Sequence, residues 1–139
     1  MQITNAKKLL KARDIVQFSV QKKEYNSQNK NLKIEILAKI QPGWILYSSA
    51  MVSATSGPLP TKFVFDSTVK LIQTNESKPI QAKDKASDAI VKYFSKEAHF
   101  TVTGKVLSAS KVHPLTIKFM SCNDTQCLPP DKISFDIKI

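Results

Sequence analysis

Between residues 32 and 40 the apolar side chains keep a period of two. Leu32, Ile34, Ile36, Ala38 and Ile40 alternate with Lys33, Glu35 and Lys39. That is the spacing of a half-buried β-strand, not the 3.6-residue period of a helix. The same alternation recurs along the chain. Val16, Phe18 and Val20 show it first, and a turn at Asn26-Ser27-Gln28-Asn29 follows. Pro42-Gly43 breaks the second strand, and Trp44-Ile45-Leu46-Tyr47 resumes an apolar run. Residues 61–65 and 69–73 read as short strands around Asp66-Ser67-Thr68. Residues 90–94 and 98–107 read as two more, the second with Phe100, Val102 and Val106 on one face. Leu115, Ile117 and Phe119 alternate with Thr116, Lys118 and Met120, and Ile133, Phe135, Ile137 and Ile139 close the chain. Residues 48–60 and 75–88 are polar and read as exposed loops. Eight or nine short strands with turns between them and no long helix predict an all-β, antiparallel β-sandwich.

The chemistry-bearing stretch is Cys122-Asn123-Asp124-Thr125-Gln126-Cys127-Leu128-Pro129-Pro130, which holds both cysteines of the chain. If the strand before it runs on without a bulge, Cys122 has the parity of Thr116, Lys118 and Met120. It then points away from the core, which predicts an accessible pair at a sheet edge or loop. A cross-link between Cys122 and Cys127 closes a loop of about six residues, contributing roughly 2 kcal/mol against about 4.7 for a 100-residue loop. So short a link stabilises little and opens easily, which suits a pair that cycles. Leu128-Pro129-Pro130 removes two N–H donors and stiffens the exit from the loop. Spacing alone leaves three uses open: a structural disulfide, a redox pair, and ligands of a soft metal together with Met120.

A chain of 139 residues is long enough for one domain with its own core. Residues 1–11 read as a polar lead-in, with a helical turn expected at 6–12, and residues 12–139 as the domain. Leu9-Leu10 is the only apolar pair in residues 1–11, so this is not a signal peptide. The protein is then cytosolic, or exported with its signal removed. No apolar run reaches membrane-spanning length.

The net charge is +10, and Arg13 is the only arginine among 21 basic residues. Nucleic-acid readout leans on arginine forks, so no nucleic-acid partner is expected. Lys33, Lys39, Lys118 and Lys138 alternate along strands, as on a solvated, edge-protecting surface. Attraction to an acidic partner face is the other use of such a charge. His99 shares the parity of Thr101 and Thr103 and is expected in solvent. His113 precedes a proline, and neither histidine sits at ligand spacing from the cysteines. Trp44 and Tyr47 read as core or loop-packing residues. The three glycines are dispersed, so there is no phosphate-binding loop. No metal site and no cofactor are expected.

Two blocks in this order resemble the N-terminal periplasmic domain of the thiol:disulfide interchange protein DsbD. One is the strand, the cysteine loop, Leu128-Pro129-Pro130 and the last alternating strand. The other is Pro42-Gly43-Trp44-Ile45-Leu46-Tyr47-Ser48, followed by Gly57-Pro58-Leu59-Pro60-Thr61 and Phe65. The resemblance covers roughly residues 12–139. It implies an immunoglobulin-like fold and a periplasmic location. It also implies a redox-active Cys122–Cys127 pair, so that the chain is a component of a protein-disulfide reductase. Electrons would come from a DsbD-type transmembrane donor and pass to periplasmic thioredoxin-fold proteins, with the domain a monomer. Cys127 matches the cysteine that forms the mixed disulfide, and Cys122 the one that resolves it. Asp124 between them is a candidate for raising the thiol pKa or relaying a proton, unless it simply forms the turn.

The family covers its cysteines with an aromatic cap loop. The matching stretch here, about residues 84–90 with Asp84, Ala89 and Ile90, has no aromatic. Ile90 is therefore expected to shield the pair, or Tyr93 or Phe94 in its place. The loop between the cysteines is one residue shorter than in the best-known members. The contrasting expectation, from the cysteines without the resemblance, is a secreted immunoglobulin-like binding module with a static disulfide. Its function would then lie in the loops at 48–60 or 75–88.

Overall fold

The computed structural model describes residues 10–50, 58–83 and 90–139. A helical turn, α1 (Ala12–Ile15), leads into β1 (Val16–Asn26), β2 (Asn31–Ile40) and β3 (Ile45–Tyr47). Then come β4 (Lys62–Phe65), β5 (Val69–Glu76), β6 (Ile80–Lys83), β7 (Ile90–Phe94) and β8 (Glu97–Val106). The chain ends with β9 (Val112–Phe119), β10 (Ser121–Cys122) and β11 (Asp131–Lys138). Residues 6–9 of the turn expected at 6–12 lie outside the described residues.

Every strand pair is antiparallel. The sheets run β1-β2-β8-β5, β10-β3-β7-β6 and β11-β9-β4. The alternation in β2 is realised as expected, with Leu32, Ile34, Ile36, Ala38 and Ile40 all buried. Their partners across the ladder are Gly104, Val102, Phe100 and Ala98 on β8, also buried. Phe100 touches the rings of Phe63 on β4 and Phe94 on β7, at centroid distances of 5.0 and 5.6 Å. Phe18 on β1 meets Phe119 on β9 at 4.9 Å. The inner face of the β1-β2-β8-β5 sheet therefore packs on both other sheets. This is the immunoglobulin-like sandwich that the strand pattern and the resemblance imply. Gly104 is fixed by crowding, since a Cβ there would lie 2.7 Å from the Val69 Cγ1 atom.

One expected loop is structured. Residues 75–88 read as loop because their apolar residues are sparse, yet β5 runs to Glu76 and Ile80–Lys83 pairs with β7 as β6. An edge strand needs only one ladder partner, so a weak pattern suffices. The Glu76 carboxylate earns its place in β5 at the far end of β3. It accepts hydrogen bonds from the Ser48 hydroxyl and, at 2.9 and 2.6 Å, from the Ser49 N–H and hydroxyl. The helical turn α1 is tied to the start of β11 by Arg13, whose guanidinium donates to Asp131 at 2.7 and 2.9 Å. That fork is the largest cause holding the Asp131 carboxyl at about 2, well below its usual range.

Candidate functional site

The main ladder of β9 stops at Phe119. After Met120 the chain changes sheets, and Ser121 and Cys122 pair with Leu46 and Ile45 of β3. The Ser121 hydroxyl donates to the Ile45 carbonyl at 2.7 Å and secures the switch. Cys122 and Cys127 then face each other as an antiparallel pair. They are flanked by N–H donations from Leu128 to the Ser121 carbonyl (3.0 Å) and from Asn123 to that of Gln126 (2.8 Å). They form the close, non-hydrogen-bonded kind of pair, with Cα atoms 4.0 Å apart and the sulfurs joined as a disulfide.

The turn between them is built by Asn123, not Asp124. The Asn123 side-chain oxygen accepts from the N–H groups of Thr125 and Gln126 (2.9 and 2.8 Å) and from the Thr125 hydroxyl (3.1 Å). Short amides of this kind organise turns by mimicking backbone. Asp124 is exposed and has no hydrogen-bond or ion-pair partner among the described residues. Leu128 is buried in the main core, while Pro129 and Pro130 are exposed and precede β11. One buried anchor and two prolines thus hold the loop's exit.

The two cysteines differ in exposure. Cys127 is exposed, whereas Cys122 is only 3% exposed. This corrects the expectation of an openly accessible pair. Cys122 does lie off the main core, as its parity implies, but that face is covered too. Tyr47 and Cys122 are the buried centre of a second small cluster, with Ile45, Val91, Tyr93 and Met120 packed against it. The register explains the cover. Leu46 on β3 is opposite Phe94 on β7, and both belong to the main core. One residue along, Tyr47 is opposite Tyr93 on the other face of the sheet, the face that carries Cys122.

Of the shielding candidates, Tyr93 is therefore the one in the cluster that holds Cys122. Phe94 packs in the main core against Phe100, and Ile90 is 62% exposed at the start of β7. Asp84 and Ala89 lie outside the described residues. Sequence reasoning missed Tyr47 and Val91 as part of the cover. The signal was present in Val91, Tyr93 and Phe94, which are apolar or aromatic at both parities of one short strand, as expected where both faces are covered.

Each histidine has a local role. His99 is exposed, with Nε2 2.8 Å from the Glu97 carboxylate. His113 is fully buried at the start of β9, its Nδ1 bonded to the Thr68 hydroxyl at 2.7 Å. Neither belongs to the cysteine cluster.

A family model described as "Thiol:disulfide interchange protein DsbD, N-terminal" matches residues 6–139. No curated protein matches. Solved structures that share the fold include three of DsbD-type or ScsB N-terminal domains. The reduced DsbD N-terminal domain of Neisseria meningitidis has a TM-score of 0.61 at 18% identity, over 97% of this chain and 94% of that one. The N-terminal periplasmic domain of ScsB from Proteus mirabilis has a TM-score of 0.68 at 16% identity, over 94% of this chain but 49% of that one. A structure of the complex between the DsbD and PilB N-terminal domains, also from Neisseria meningitidis, has a TM-score of 0.52 at 17% identity. That match covers 86% of this chain and 80% of the other.

Proposed function

The chain belongs to the family of DsbD N-terminal domains, and from that premise we propose that it carries reducing equivalents in the periplasm. It receives them from a DsbD-type membrane domain and passes them to thioredoxin-fold proteins through Cys122 and Cys127. The observation that carries this reading is the asymmetry of the pair, with one exposed cysteine and one buried cysteine across a two-strand turn. A related DsbD N-terminal domain forms a complex with a PilB N-terminal domain, which supports a protein as the acceptor.

The asymmetry orders the steps. In the dithiol form the exposed Cys127 thiolate attacks a sulfur of the partner disulfide. A Cys127–partner bond forms and the second partner sulfur leaves as a thiolate. Cys122 then attacks the Cys127 sulfur, re-forming Cys122–Cys127 and releasing the other partner thiol. Two electrons and two protons pass to the partner, and the domain ends as the disulfide. Re-reduction runs the same path backwards, with the donor thiolate entering at Cys127. The account needs a pair poised to trade electrons, so its reduction potential is the test, expected above about −250 mV.

Tyr93 serves as the lid that keeps small oxidants from Cys122. Its side chain packs from β7 against the cluster of Tyr47 and Cys122. Truncation to Ala loses about 1.5 kcal/mol of burial, roughly tenfold in the opening equilibrium. In the reduced protein, iodoacetamide should therefore label Cys122 about tenfold faster in Tyr93→Ala, with the Cys127 rate unchanged. Peptide mass analysis separates the two sites. A Cys122 rate that is already equal to that of Cys127 in the parent, and unmoved by the substitution, would remove the lid role.

A further inference from the structure

Three lysines meet on one face of the β11-β9-β4 sheet. Lys62 is directly opposite Lys118, and Lys118 is directly opposite Lys132. Opposed residues on antiparallel neighbours have Cβ atoms about 5 Å apart, and like charges there are destabilising. All three side chains are exposed, and among the described residues none has an ion-pair partner. Asp131, adjacent to Lys132 in the chain and lining the same groove, is already engaged by the Arg13 fork. The next row of the same face, Val64, Thr116 and Ser134, is uncharged. Folding thus aligns three cations over about 10 Å of sheet without offsetting them.

The row also lines a groove of about 620 Å³, whose walls include Leu59, Pro60 and Pro130. The groove is linked to the cysteines by short stretches of chain. Pro130 is three residues after Cys127. Met120, two residues beyond Lys118, packs into the Cys122 cluster. Cys122 is four positions after Lys118, at most about 14 Å of chain.

We propose that the Lys62–Lys118–Lys132 row and its groove dock an acidic face of the redox partner, a protein carrying carboxylates close to its own disulfide. The proposal rests on the exchange reading of Cys122–Cys127 and adds what selects the partner. A groove with an apolar wall and a cationic row suits protruding carboxylates of a protein. A flat lipid headgroup surface fits it less well.

The test uses two probes: a cysteine peptide flanked by glutamates and its glutamine analogue, each as a mixed disulfide with thionitrobenzoate. Attack by reduced domain releases the chromophore. At low ionic strength the acidic peptide should react about tenfold faster than the neutral one. That advantage should collapse in K62Q/K118Q/K132Q, and in about 0.5 M salt, where screening is short-ranged. It should persist in K39Q/K70Q/K105Q, which removes the same charge from the β1-β2-β8-β5 sheet. Equal rates for the two peptides would overturn the docking row while leaving exchange intact. So would an equal loss in both triple variants, which reduces the effect to net charge. Equal peptide rates combined with row-dependent binding to phosphatidylglycerol vesicles would assign the lysines to a membrane instead. A domain that releases chromophore from neither peptide loses the exchange reading, and the docking row with it.

Discussion

Replacing Cys127 with Ala is expected to abolish electron transfer to a thioredoxin-fold partner, lowering the rate by at least about a thousandfold, as loss of a nucleophile does. Cys122→Ala should behave differently. It also stops turnover, but it leaves the exposed Cys127 thiolate able to attack. The partner should then accumulate as a mixed disulfide, because the resolving sulfur is gone. The contrast follows from burial, since Cys122 lies beneath Tyr47 and Tyr93 while Cys127 faces solvent. Both variants lose the same six-residue cross-link, worth roughly 2 kcal/mol, so stability does not separate them. Non-reducing gels and intact mass after mixing with an oxidised partner read the result. Transfer that survives in Cys127→Ala, or a trapped adduct in Cys127→Ala and not in Cys122→Ala, would reverse the assignment.

The second large effect is on the fold. Phe100→Ala should lower stability by about 3–5 kcal/mol, the usual range for removing a fully buried phenylalanine. The ring is 1% exposed and touches both Phe63 and Phe94. It thereby joins the β1-β2-β8-β5 sheet to each of the other two. Little can collapse into the space, because the facing residues are themselves held in ladders. The melting temperature should fall by roughly 10–20 °C. Chemical denaturation of the oxidised protein checks the free energy. A loss under about 1 kcal/mol would mean that Phe100 does not join the sheets.

The sandwich was legible because alternation is a local signal. Residues 32–40 state their own face without help from any other segment. The change of sheet at Met120 was not legible. It depends on Ser121 finding the Ile45 carbonyl, 76 residues away, and no local pattern announces that. Parity therefore gave the right side for Cys122, off the main core, and the wrong exposure. The covering residues come from β3 and β7, far away in sequence. Strand β6 was hidden by its polar composition, since an edge strand is fixed by its neighbour more than by its own residues. Asp124 drew attention as the charged residue between the cysteines, yet the turn needed a side-chain acceptor at its first position, and Asn123 supplies it. The lysine row is the clearest case. Lys62, Lys118 and Lys132 look like ordinary alternating surface charges in the sequence, and only the pairing of β4 with β9 and β9 with β11 aligns them.

The central claim is that Cys122–Cys127 cycles. Its reduction potential tests this most directly, by equilibrating the domain in thiol redox buffers and counting alkylated thiols by mass. The account predicts a value above about −250 mV, among proteins that trade electrons. A value below about −300 mV, or a disulfide that opens only in denaturant, would mark a structural cross-link. The domain would then be a sandwich whose function lies in its loops, and the exchange mechanism would be wrong.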